Sequence, residues 1–217
     1  MANIPSNNHK TDGLLNSREN LQRLLGQIVE YPDRRAEITE IIENTFGDNK
    51  AVLVLDMSGF SRTTQQFGII SFLLMIHQMR SICEPCIQQN GGILVKAEAD
   101  NLFCLFDQVV DAVTASQEMS ACLKAANAVL PTERHLYASF GIGYGRILNI
   151  ADEDIFGNEV NLASKLGEDI AGQDEILLSS SARAELAESE INTREENASI
   201  SGILLTYYKV EQLSAFI

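Results

Sequence analysis

Residues 50–61 read Lys50-Ala51-Val52-Leu53-Val54-Leu55-Asp56-Met57-Ser58-Gly59-Phe60-Ser61. The run from Val52 to Leu55 is apolar without alternation, the pattern of a short strand buried on both faces. Asp56 breaks the run, and Ser58-Gly59 supplies a small-residue turn. From about Thr63 a helical period takes over, with Phe72, Met75, Ile76, Met79, Ile82, Cys83 and Cys86 on one stripe. The stretch is therefore a buried strand, a tight turn and a helix.

Downstream, Gly91-Gly92 ends the helix. Residues 93–96 and 102–106 read as strands, and the short gap between them implies a hairpin. A second helix is predicted over 108–129, with Val109, Val113, Met119, Cys122 and Ala126 facing the core and Pro131 stopping it. Residues 138–142 and 146–150 read as strands around Gly143-Tyr144-Gly145. A third helix is expected from Gly157 or Asn158 to near Gly167. A strand at 176–178, a short helix at 182–187 and a closing strand at 203–210 follow. The core order is β-α-β-β-α-β. It predicts an α+β, ferredoxin-like (split βαβ) antiparallel sheet with helices on one face.

Upstream, residues 17–46 are helical in two pieces, with Leu21, Leu24, Leu25 and Ile28 in one and Ile38, Ile41 and Ile42 in the other. Tyr31-Pro32 separates them, because a residue before proline avoids the helical region. Gly47-Asp48-Asn49 reads as a turn. The pair is either a cap on the domain or a dimerisation or regulatory arm. Residues 1–13 are polar and read as a disordered tail. The expected division is a tail and helical extension over 1–49 and a domain over 50–217.

The net charge of −14 argues against a broad nucleic-acid-binding face, since such a surface repels phosphate backbones. A compact anionic ligand would need metal ions and local cations. The longest apolar stretch, 67–76, is too short to span a bilayer. The first residues lack the order of a secretory signal, so the cytoplasm is the expected compartment. Cys83-Glu84-Pro85-Cys86 lies late in a helix, not between a strand and a helix as in thioredoxin-like motifs, and reads as buried thiols. Gly141-Ile142-Gly143-Tyr144-Gly145 has no following helix and reads as a strand hairpin rather than a dinucleotide loop.

In a split-βαβ sheet the first and third strands are antiparallel neighbours. Asp56 ends the first strand and Asp100 precedes the third, so topology brings them together. Two adjacent carboxylates repel. Mg²⁺ or Mn²⁺ would resolve that, and two ions roughly 4 Å apart could clamp an attacking and a leaving oxygen. The alternative is that both are ordinary turn residues. Ser58, Gly59, Phe60 and Ser61 form a turn into a helix, where backbone N–H groups can hold phosphate oxygens.

Three segments resemble the class III adenylate and guanylate cyclase catalytic domains. LVLDMSGFSR resembles the first metal motif, GGILVKAEADNLFCLF the second, and DIFGNEVNLASKL the segment that binds base and ribose. They occur in family order, and the resemblance covers roughly residues 50–210. It implies that Asp56, Asp100 and the Met57 carbonyl bind two ions, Mg²⁺ or Mn²⁺. It implies that Lys96 and Asp154 read adenine, that Asn161 orients the ribose, and that the site is shared across a homodimer acting on ATP. The implied reaction is conversion of ATP to 3′,5′-cyclic AMP and pyrophosphate.

Three positions depart from the pattern. Lys165 stands where the family has a phosphate-binding arginine, and lysine lacks the planar fork. Ser201-Gly202 stands where a lysine often precedes the glycine. Ala99 replaces a glycine before the second aspartate. Arg183, Arg194 and Lys209 are candidates for the missing cation. The departures keep open a second function, a cyclase-fold nucleotide-binding or regulatory module with weak or no turnover.

Overall fold

Val52 and Val54 point to one face of a central strand, and Leu53 and Leu55 to the other; all four are fully buried. The structure, a computed structural model, describes residues 15–58, 60–200 and 203–211. The tail expected over 1–13 lies outside the described residues, as do Gly59, Ser201 and Gly202.

Two helices, α1 (Arg18–Glu30) and α2 (Arg35–Phe46), precede the sheet and are separated as predicted at Tyr31-Pro32. Ser17 caps α1 by accepting from the Asn20 N–H at 3.2 Å. Then follow β1 (Gly47–Met57), α3 (Phe60–Gln89), β2 (Ile93–Glu98), β3 (Asn101–Phe106) and α4 (Val109–Asn127). Next come β4 (Ala138–Ile150), β5 (Asp154–Phe156) and α5 (Asn158–Ser164), which runs into a π-helical turn at Lys165–Ile170. β6 (Ile176–Leu178), α6 (Ser180–Ala184), β7 (Thr193–Ile200) and β8 (Ile203–Val210) complete it. α3 is broken at Gly68, whose φ of 81° and ψ of 170° are not helical.

The strands form one sheet in the order β2-β3-β1-β4-β6-β8-β7, with β5 paired to β4. β1 runs antiparallel to both β3 and β4, as the split-βαβ reading requires. The long helices α3 and α4 bury Met79, Cys83, Ile87, Val113 and Met119 against the Leu53 face. On the opposite face α5 lays Val160 and Ala163 over Val52, Val54 and Phe103. A third cluster joins α1 and α2 to the sheet through Leu21, Leu24, Ile38, Ile42, Phe46 and Ile150.

Two local expectations give way. Residues 47–49 are not a turn but the start of β1, paired from Gly47↔Leu148 to Asn49↔Arg146. A Cβ on Gly47 would lie 2.3 Å from the Glu43 carbonyl oxygen, so glycine lets α2 pass straight into the strand. Residues 143–145 are not a hairpin turn either, because β4 is continuous over 13 residues. Its glycines serve close packing. A Cβ at Gly141 would sit 2.0 Å from the Ala163 carbonyl oxygen and 2.4 Å from the Gly167 nitrogen, and one at Gly143 would sit 2.6 Å from the Glu159 carbonyl oxygen. Glycine in a strand interior often marks such an approach of another backbone. The strand β7 was not expected. Its sequence, TREENASI, lacks apolar alternation because it is an edge strand paired only to β8.

Gly141→Ala should destabilise the fold by about 3 kcal/mol, since backbone rather than a flexible side chain must yield. Urea unfolding would measure it. A loss below about 1 kcal/mol would mean that α5 can lift away freely.

Candidate active site

Asp56 falls on the Val52/Val54 face by the two-residue period of β1. It pairs in register with Asn101, and the next residue, Met57, donates its N–H to the Asp100 carbonyl at 3.2 Å. Topology thus places Asp56 and Asp100 at one end of two adjacent strands. The Asp56 carboxyl is half-buried, and its pKa is pushed up to about 7. Burial is the main cause, followed by the charges of Asp100, Glu168 and Asp169. Glu168, on the π-helical turn, is itself raised by burial and then by Asp169, Asp100 and Glu98, net of a hydrogen bond from Ser164.

Among the described residues no group of three or more His, Cys, Asp or Glu side chains is arranged to hold a metal. Mg²⁺ is commonly bound by one or two carboxylates with substrate phosphates and water completing the shell. Two hard oxygen donors, one of them raised by burial and by the neighbouring carboxylates, fit such an ion. Met57 ends β1 with its side chain buried.

The β2–β3 turn carrying Asp100 is strained. Glu98 pairs with Asn101, which leaves Ala99 and Asp100 as a two-residue loop. Ala99 has φ of 52°, a value in the left-handed region that favours glycine, whereas Asp100 has no positive φ. Alanine occupies the position at which the resembling family has glycine.

Lys96 and Asp154 meet. Lys96 Nζ lies 3.0 Å from Asp154 Oδ1 and 3.0 Å from Glu98 Oε1, and 4.8 Å from the centre of the Phe103 ring. Asp154 Oδ1 also accepts from the Ile155 N–H at 2.9 Å, and Oδ2 accepts from Arg18 Nη2 at 3.2 Å. Burial would raise the Asp154 pKa, but the Lys96 bond, the Ile155 amide and the Lys96 and Arg18 charges outweigh it and hold the carboxyl below its ordinary value. Lys96 is raised: burial opposes its charge, and Glu98 and Asp154 overcome that.

Asn161, in the middle of α5, and Lys165, at the start of the π-helical turn, lie about one helical turn apart, and both are exposed. Glu159 fixes this segment. Its Oε2 accepts from the Tyr144 N–H at 3.1 Å, Ser179 Oγ at 3.0 Å and Ser181 Oγ at 2.9 Å. At the expected phosphate turn, the Ser58 N–H donates to the Tyr137 carbonyl at 2.9 Å and is therefore engaged. Gly59 lies outside the described residues, and Phe60 and Ser61 open α3. Arg194 pairs with Glu196 and Lys209 with Glu175, on strands separated from β1 by β4 and β6. Arg183 lies on α6. Sequence reasoning missed Glu159 and Arg18. Gly143, which makes room for Glu159, was the only signal for the first; nothing local marks the second.

No family model matches the chain. The fold is that of nucleotide cyclase catalytic domains. The adenylate/guanylate cyclase/hydrolase of Silicibacter pomeroyi superposes with a TM-score of 0.61 at 24% identity, over 77% of this chain and 99% of that one. The adenylyl cyclase CyaB of P. aeruginosa gives 0.60 at 20% identity, over 79% and 98%. In sequence, the chain is 28% identical over 116 residues to putative adenylate cyclase 3 of Rhizobium meliloti (strain 1021). That match covers 54% of this chain and 20% of the relative's length. The chain thus has the class III cyclase fold and resembles an adenylate cyclase in sequence, in agreement with its motifs. No helix among the described residues is long and apolar enough to cross a membrane.

Two predictions follow from the aspartates and their turn. A carboxyl whose folded pKa is raised from 3.8 to about 7 favours the fold below 3.8, and that contribution is lost as pH rises to 7. Metal-free Asp56→Asn should therefore melt a few degrees above the wild type at pH 8 and show no such gain at pH 4, the effect being moderated by partial solvent screening. Thermal melts in chelator decide it; equal melting at pH 8 would contradict the raised pKa. Ala99→Gly should add about 0.5 to 1 kcal/mol, relief of the left-handed alanine exceeding the entropy of glycine. Denaturant unfolding would reveal no gain if the turn is unstrained.

Proposed function

We propose that the chain is an adenylate cyclase, converting ATP to 3′,5′-cyclic AMP and pyrophosphate, and that it works as a homodimer with the site shared between protomers. The observation that carries this reading is the Lys96–Asp154 pair at 3.0 Å. A donor beside an acceptor suits N1 and the exocyclic amino group of adenine. Guanine presents the opposite order, O6 and N1–H, and would leave buried groups unpaired. The catalytic domain of this proposal covers residues 50–217, with 1–49 an extension.

In the proposed reaction the ribose 3′-oxygen attacks the α-phosphorus, the bond to pyrophosphate breaks, and the hydroxyl proton leaves to solvent. Asp56, Asp100 and the Met57 carbonyl would hold Mg²⁺ or Mn²⁺, which supplies charge for the triphosphate and acidifies the hydroxyl. Lys96 and Asp154 of one protomer orient the base. Asn161 on α5 orients the ribose. Lys165 offers a single ammonium to the α-phosphate, without the bidentate geometry of an arginine. Ser58, Gly59, Phe60 and Ser61 would border the triphosphate at the N-terminus of α3.

Purified protein with ATP and Mn²⁺ should form cyclic AMP, with GTP a poorer substrate. Asp56→Asn should reduce the rate at least a hundredfold, and Lys165→Arg should raise it several-fold. A wild type no faster than Asp56→Asn would refute the enzyme. A second reading, a nucleotide-binding module without turnover, draws on the engagement of both Asp154 oxygens by Lys96, Arg18 and the Ile155 amide. It requires metal-dependent ATP binding by calorimetry without pyrophosphate release; steady release would dismiss it.

A further inference from the structure

Arg18 is the one residue of the N-terminal helices that an ion pair joins to the proposed base site. Its backbone is held firmly. Asn16 donates from Nδ2 to the Asn149 carbonyl at 3.1 Å and accepts at Oδ1 from the Ala151 N–H at 2.9 Å, so it clamps the β4–β5 turn. Ser17 caps α1 immediately after it. Leu21 and Leu24 then bury α1 against Ile38, Ile42, Phe46 and Ile150. This clamp brings Arg18 Nη2 to 3.2 Å from Asp154 Oδ2, across 136 residues of sequence. The Arg18 side chain is 54% exposed and that of Asp154 only 13%. The guanidinium therefore covers the carboxylate from the solvent side, while the backbone beneath it stays pinned.

The Asp154 carboxylate is already committed on both oxygens. Oδ1 takes Lys96 and the Ile155 amide, and Oδ2 takes Arg18. A carboxylate accepts at about four positions, so the position left open lies on Oδ2, beside Arg18, and a purine amino group reaching it meets the guanidinium there. Glu98 and Asp154 both face Lys96, so Lys96 stays charged and engaged whether Arg18 is in place or not.

We propose that Arg18 is a gate on the base site: it occupies the acceptor of Asp154 in the empty protein and releases it when the nucleotide base binds, so that the N-terminal arm sets nucleotide affinity. This rests on Lys96 and Asp154 being the base-reading pair. The gate is one side chain, and the helix need not move. Because the exposed guanidinium is solvated in both positions, its release costs little, and the expected effect is modest.

The test uses the full chain with ATP and Mn²⁺. Arg18→Ala should lower KM about five-fold while kcat changes less than twofold, and Arg18→Lys should fall between the two. In an Asp154→Ala background, Arg18→Ala should leave KM unchanged, because no acceptor remains to be freed. A purely structural role would shift the melting temperature and act equally in both backgrounds. An unchanged or raised KM in Arg18→Ala, with the wild type turning over ATP, overturns the gate alone. A wild type that neither turns over ATP nor binds a fluorescent ATP analogue overturns the base-site reading, and the gate with it.

Discussion

Among the glycines of the described residues, the tightest approach is that of α5 to β4. The Ala163 carbonyl and the Gly167 nitrogen press so near to Gly141 that no side chain fits between them. Gly143 admits the Glu159 backbone in the same way, and the Glu159 carboxylate then ties Tyr144, Ser179 and Ser181 together. Everything at the proposed site on that face depends on this depth. Asn161 and Lys165 project from a segment that is held at both ends, and the π-helical turn brings Glu168 and Asp169 near enough to raise Asp56. A helix standing even slightly farther from the sheet would uncouple those charges.

The two halves of the proposed site are built on opposite electrostatic principles. At Asp56 and Asp100 like charges converge, and burial drives one toward its neutral form. At Lys96 and Asp154 opposite charges converge, and each holds the other ionised against burial. The first arrangement is poised to accept a cation, and the second to present a fixed donor and acceptor. On the proposed reading, a nucleoside triphosphate with its metal would supply complements to both.

Much of this was legible in the sequence because it rests on local patterns. The unbroken run Val52 to Leu55 correctly signalled a strand buried on two sides, and topology alone put Asp56 beside the turn of Asp100. The glycines of β4 were misread because local patterns cannot say what lies above a strand. Gly143-Tyr144-Gly145 is a turn by composition and a strand by the presence of α5. Thr193–Ile200 escaped for a related reason, since an edge strand carries no burial signal. Arg18 was beyond reach, because an ion pair between a helix and a distant hairpin leaves no trace in periodicity.

The glycine at position 47 has a mechanical meaning. α2 becomes β1 without an intervening loop, and Arg146 braces the junction by donating to the Glu43 carbonyl at 2.7 Å and pairing with its carboxylate at 3.2 Å. From there β1 crosses the whole sheet as a single rod of 11 residues, roughly 35 Å long, to reach Asp56 near its far end. The helical extension and the aspartate are thus two ends of one rigid member, and no slack segment lies between them to absorb a twist.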